Sequence, residues 1–192
     1  METTSTPTEY EKMEESILMK QILGSAGSGK GFVLANKVVE KLAGGRKVTV
    51  VAFEEENTLK KINFFLDSHS QPIEDNLNVV DGSQLSKGQL AKYLIESAEY
   101  FDVVFLDVPI ILNRNIDRPY YASMTSYLNM MRSIADFTEI ELWMTLQTNR
   151  QTMLARGACA IVVDEEETDK HEVIPLKTVQ EWVGQYSKSV YC

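Results

Sequence analysis

The chain predicts an α/β fold in three layers, a mostly parallel sheet with helices on its faces. Three observations carry this expectation. Strand-like apolar runs alternate with segments of helical periodicity. The run Lys47-Val48-Thr49-Val50-Val51-Ala52-Phe53 is nearly all β-branched or apolar, as a strand buried on both faces of a parallel sheet must be. A glycine-rich segment, Gly24-Ser25-Ala26-Gly27-Ser28-Gly29-Lys30, joins a strand-like run to an amphipathic helix.

Each element has its own local reason. Ile17 to Leu23 is an apolar run that reads as a strand. Phe32, Val33, Ala35, Val38, Val39 and Leu42 recur at helical spacing, and Ala43-Gly44-Gly45 stops that helix. After the Lys47–Phe53 strand comes Glu54-Glu55-Glu56-Asn57, then a helix expected over Thr58 to Asp67. Leu77 to Val80 is a short strand closed by Asp81-Gly82. Ser86 with Gln89 makes a capping box that opens a helix to about Tyr100, with Leu90, Tyr93, Leu94 and Ala98 inward.

Phe101 to Asp107 is an apolar strand ending in a carboxylate, followed by an irregular connection from Val108 to Tyr121. Ser123 to Ala135 fits a helix whose Tyr127, Met130, Met131 and Ile134 share one face, the methionines as core filler. Ile140 to Leu146 is a strand leading into Gln147-Thr148-Asn149-Arg150. Ala158–Val163 and Val173–Leu176 form a final strand pair around the acidic turn Asp164–Lys170, and Trp182 packs a C-terminal helix. Residues 1–15 are polar and read as a flexible arm, which leaves 16–192 as a single domain.

Composition narrows the function. The 192 residues are 44% apolar, enough for one full core. A formal net charge of −9 and a pI near 4.8 argue against binding nucleic acid by bulk charge. No apolar run approaches the ~18 residues of a membrane span. Cys159 and Cys192 make neither a metal spacing nor a disulfide framework. The expected surroundings are reducing and cytoplasmic.

The chemistry centres on Gly24 to Lys30, which has the spacing G-x-x-x-x-G-K of a phosphate-binding loop. Its glycines let successive backbone N–H groups turn inward around an anion, and the helix that follows aims its positive dipole end at the same point. Gly24, Ser25, Ala26, Gly27, Ser28, Gly29, Lys30 and Gly31 are the expected phosphate-binding set, with Lys30 reaching the β/γ-phosphates. Gly31 departs from the pattern, which wants a Ser or Thr hydroxyl there for Mg²⁺. A metal must then be held through water or by another side chain. In open α/β sheets chemistry gathers at the carboxyl ends of strands. Three such ends are polar here. Asp107 is placed to orient Mg²⁺ or its water, Glu54 or Glu55 to activate a water, and Gln147 to contact a γ-phosphate.

Together the P-loop, Ala52-Phe53-Glu54-Glu55, the Asp107 strand and Leu146-Gln147-Thr148-Asn149-Arg150 resemble the RecA-fold P-loop ATPases, above all the KaiC and DnaB branches. The resemblance covers about Ile17 to Thr178. It implies a RecA-type P-loop NTPase fold with strand order 3-2-4-5-1-6-7. It further implies ATP or ADP with Mg²⁺ as ligands, ATP hydrolysis with Glu54 or Glu55 as base, and work as a homo-oligomer. The family completes its site across a subunit boundary with a Lys-x-Arg pair. The matching residues here are Lys177-Thr178-Val179, so the lysine is present and Val179 stands in place of the arginine. The resemblance also puts Arg114, Arg118, Tyr120 and Tyr121 in a nucleic-acid-facing loop, where such residues grip phosphates and stack bases.

Two other classes share pieces of the pattern. Asp107-Val108-Pro109 is similar to the Asp-x-Pro ending of partition and positioning ATPases, which act as nucleotide-governed switches. Their extra P-loop lysine is missing, since Ser25 holds that place. Gly27-Ser28-Gly29-Lys30-Gly31 is similar to the loop of adenylate kinase, but no arginine-rich lid accompanies it.

Overall fold

Five strands run parallel and set the frame: β1 (Met19–Gly24), β2 (Val48–Ala52), β3 (Leu77–Asp81), β4 (Val103–Asp107) and β5 (Glu141–Gln147). Two more, β6 (Ala158–Asp164) and β7 (His171–Pro175), extend the sheet antiparallel beyond β1. The order is β3-β2-β4-β5-β1-β6-β7, as the RecA-type resemblance implies. The computed structural model describes residues 18–25, 27–67, 74–107, 120–147, 158–164 and 171–190. The arm 1–15, Ala26, Arg114, Arg118, the segment 148–150 and the turn 165–170 lie outside the described residues.

Period-2 alternation sorts the strand residues into two cores. Val48, Val50, Ala52, Val103, Phe105 and Trp143 face one layer, formed by α1 (Lys30–Ala43), α2 (Glu55–Leu66) and α5 (Leu176–Val190). Val51, Val104, Leu106, Leu142 and Met144 face the other, formed by α3 (Lys87–Ser97) and α4 (Tyr120–Thr138). Every residue of β2 is buried, which is why that strand reads as a continuous apolar run rather than an alternating one. Met131 is fully buried and Met130 packs against the same core, as filler.

The local signals act as their chemistry requires. Ser86 and Gln89 form a reciprocal capping box, with Gln89 N–H donating to Ser86 Oγ at 3.3 Å and Ser86 N–H to Gln89 Oε1 at 2.9 Å. α1 closes at Gly44-Gly45, where Gly44 N–H donates to the Glu40 carbonyl. Trp182 packs in the C-terminal helix, edge-on to Phe65 at 5.3 Å between ring centres. Tyr186 of the same helix meets Phe32 and Phe64, so aromatic rings clamp α5 onto α1 and α2.

Three boundaries differ from the sequence expectation. α2 begins at Glu55 instead of Thr58, because Glu55 and Glu56 in its first turn complement the positive end of the helix dipole. α4 begins at Tyr120 and ends at Thr138, so Tyr120 and Tyr121 belong to helical backbone rather than to an irregular loop. Leu176 opens α5 instead of ending β7.

Candidate functional site

The loop between β1 and α1 is built around close approach. A Cβ on Gly24 would collide with Ser28 Oγ and lie 2.6 Å from Lys30 Cγ, so only glycine lets the loop fold back on the strand end. Gly27 and Gly29 take φ of 69° and 85°, the left-handed region that turns successive N–H groups to one side. Gly29 is the N-cap of α1, and the N–H groups of Phe32 and Val33 donate back to its carbonyl. Lys30 Nζ donates to the carbonyls of Gly24 at 3.0 Å and Ser25 at 2.8 Å. The ammonium is thereby curled over its own loop.

Register brings the polar strand ends to the same edge. Gly24 pairs with Gln147 on β5, and Ala52 pairs with Asp107 on β4. The order β2-β4-β5-β1 makes these four strands consecutive neighbours. Asp107 is held by two hydroxyls. Thr145 Oγ1 donates to its Oδ1 at 3.0 Å, and Thr58 Oγ1 donates to its Oδ2 at 3.3 Å. The Asp107 carbonyl accepts from Phe53 N–H at 3.1 Å, which draws the end of β2 toward β4.

Glu54 sits at the N-cap of α2, its carbonyl accepting Thr58 N–H at 2.9 Å and its Oε2 accepting Asn57 Nδ2 at 2.8 Å. Thr58 therefore ties Glu54 and Asp107 into one assembly. Glu55 is exposed in the first turn of α2 and lines an open cleft of about 460 Å³ with Glu54, Glu56, Asn57, Lys60 and Tyr186. Glu56 is engaged elsewhere: its hydrogen bond and ion pair with Lys60 hold its carboxyl below the usual range.

Lys177 and Val179 stand apart from one another. Lys177 lies in the first turn of α5 with its side chain 88% exposed, 4.0 Å from Glu181. Val179 is 3% exposed and sits against Gly29, where any Cβ would collide with its Cγ1. The position matched to an arginine finger is thus an internal packing residue behind the P-loop.

Three contributors were missed in the sequence. Thr145 carried a faint signal, a hydroxyl in an otherwise apolar strand two places before Gln147. Thr58 and Lys61 carried none, since their partners are reached only through tertiary packing. The residues present fit a magnesium ion held mainly through water and nucleotide. Mg²⁺ commonly takes one or two carboxylates and keeps several waters. Each Asp107 oxygen accepts one hydroxyl proton and keeps a second acceptor direction. Gly31 adds no ligand. No group of three or more His, Cys, Asp or Glu gathers as a metal site among the described residues.

These features define a class: the chain has the three-layer α/β fold of RecA-type P-loop NTPases. Among solved structures it is similar to the ATPase domain of a DnaB-like helicase, with a TM-score of 0.54 and 12% identity over 88% of this chain. The likeness is one of fold. The chain spans 65% of that structure's length, just under two thirds. No family model and no curated protein matches the sequence. No helix among the described residues is long and apolar enough to cross a membrane.

Proposed function

We propose that the chain binds ATP and ADP in the Gly24–Lys30 loop and hydrolyses ATP slowly. One observation carries this reading. The loop, Gln147, Asp107 and Glu54 converge on the carboxyl edge of four adjacent parallel strands. The α1 N-terminus and the loop amides supply a fixed positive field for phosphate oxygens. Lys30 exchanges its two loop carbonyls for those oxygens. Asp107, aligned by Thr58 and Thr145, would hold Mg²⁺ through its waters. The ion, when bound, neutralises charge developing on the phosphates. Gln147, in register with Gly24, contacts the γ-phosphate.

Glu54 is the favoured base, because Thr58 fixes its backbone to the Asp107 assembly. Glu55 remains the alternative. Slow turnover follows from Val179, which leaves α5 without a finger arginine. The finer reading is a cytoplasmic homo-oligomer of the KaiC or DnaB branch that acts on nucleic acid, with Lys177 at a subunit boundary and Arg114, Arg118, Tyr120 and Tyr121 toward the polymer. Its support is the set of motifs at the strand ends.

The test is phosphate release from ATP by the full chain and its Glu54→Gln and Glu55→Gln variants. Light scattering follows mass with and without ATP and single-stranded DNA. Glu54→Gln should keep nucleotide affinity and lose about 100-fold in turnover, and ATP should drive assembly that retains DNA. Turnover unchanged in both variants would place the base elsewhere. A monomer under every condition would overturn the oligomer.

A further inference from the structure

Gly31 occupies the place where P-loops carry a metal-binding hydroxyl, yet the space in front of it is filled. A Cβ built on Gly31 would lie 3.0 Å from Lys61 Nζ and 3.6 Å from Lys61 Cδ. Lys61 comes from α2, half-buried, with its ammonium 5.7 Å from the centre of the Phe32 ring. The neighbouring lysines are neutralised. Lys60 pairs with Glu56, Lys41 with Glu141, and Lys37 with Glu40 and Glu172. Among the described residues no carboxylate pairs with Lys61.

The ring face offsets only part of the cost of desolvating an ammonium. A positive charge held there, beside loop amides and a helix N-terminus that already favour an anion, has negative charge as its natural partner. The glycine and the lysine also require each other. Any side chain at position 31 would crowd the ammonium, and without that ammonium the loop would lack a charge where the hydroxyl-bound metal normally sits.

We propose that Lys61 is a second phosphate-binding lysine. It delivers its ammonium over Gly31 to the nucleoside triphosphate and lets binding persist without divalent metal. The proposal rests on the nucleotide reading of the loop and goes beyond it, since that reading holds whether or not Lys61 takes part.

The experiment is equilibrium binding of a fluorescent ATP analogue to the full chain, in Mg²⁺ and in excess EDTA. Lys30→Ala, Lys61→Met and Lys61→Arg are measured alongside, with folding checked by circular dichroism. Wild type should lose less than about fivefold in affinity on chelation. Lys61→Met should weaken metal-free binding by about tenfold or more, the scale of one charged hydrogen bond, and Lys61→Arg should restore most of it. Gly31→Ser reaches the same point without touching Lys61. Its side chain displaces the ammonium and should make binding metal-dependent. Loss of wild-type binding in EDTA, or metal-free binding by Lys61→Met equal to wild type, overturns the proposal and leaves the P-loop reading standing. No binding in either buffer, or a Lys30→Ala variant that binds normally, brings down both.

Discussion

At the scale of single residues, the Asp107 carboxylate is defined as much by its donors as by its place at the end of β4. Thr145 and Thr58 reach it from β5 and α2 and fix the directions left open for water. Thr145→Val keeps the shape and removes one donor. The variant should lose about 1 kcal/mol of stability in urea unfolding, while Thr145→Ser should keep it. Equal stability of the valine variant would mean that the hydroxyl contributes nothing to the strand end. Asp107 itself was legible because a carboxylate that ends an apolar run has few other reasons to be there. Its two partners were not legible, because their meeting depends on strand register and on a helix that begins three residues earlier than its periodicity suggests. Lys61 is illegible for the same reason: only the packing of α2 on α1 brings it over Gly31.

At the scale of elements, one buried ionic cluster joins β5, β1 and α1. Glu141 Oε1 accepts from Lys41 Nζ at 2.6 Å and from Trp143 Nε1 at 2.8 Å, with Lys20 Nζ 3.7 Å away. Both ammonium groups also lie over the Trp143 ring. Burial works against the carboxylate, but the Lys41 and Trp143 hydrogen bonds outweigh it and hold Glu141 below its usual value. A carboxyl whose value is depressed by folding stabilises the fold above its ordinary pKa of 4.5, and that contribution is lost as pH falls through the lower folded value. At pH 7 Glu141→Gln should be less stable than wild type by about 1–3 kcal/mol, and the gap should close under acid, below pH ~4.5. A gap that stays constant to pH 3 would contradict the linkage. The elements were the most legible level, since the capping box, the glycine stop of α1 and the fully apolar β2 each carry a local physical signature. Their ends were less so: acidic residues that complement a helix dipole look, in a sequence, like an ordinary charged turn.

At the scale of the whole molecule, the strand order follows from two demands. Parallel strands need helical crossovers, and the P-loop strand must lie beside the strand that ends in Gln147. The resemblance to RecA-type proteins made that order legible before any coordinates. It did not reveal how α5 closes the site, with Trp182 and Tyr186 in an aromatic clamp and Val179 pressed on Gly29. A sequence match treats position 179 as a missing finger, whereas packing makes it the floor behind the loop. The whole account stands on an anion cradle formed by loop amides and Lys30. Its most direct measurement is calorimetric titration of ATP into wild type and Lys30→Ala at neutral pH with Mg²⁺. The account predicts saturable binding by wild type and a loss of about 100-fold or more in the variant, the scale of a buried charged contact to phosphate. Equal affinity in the two proteins would contradict it.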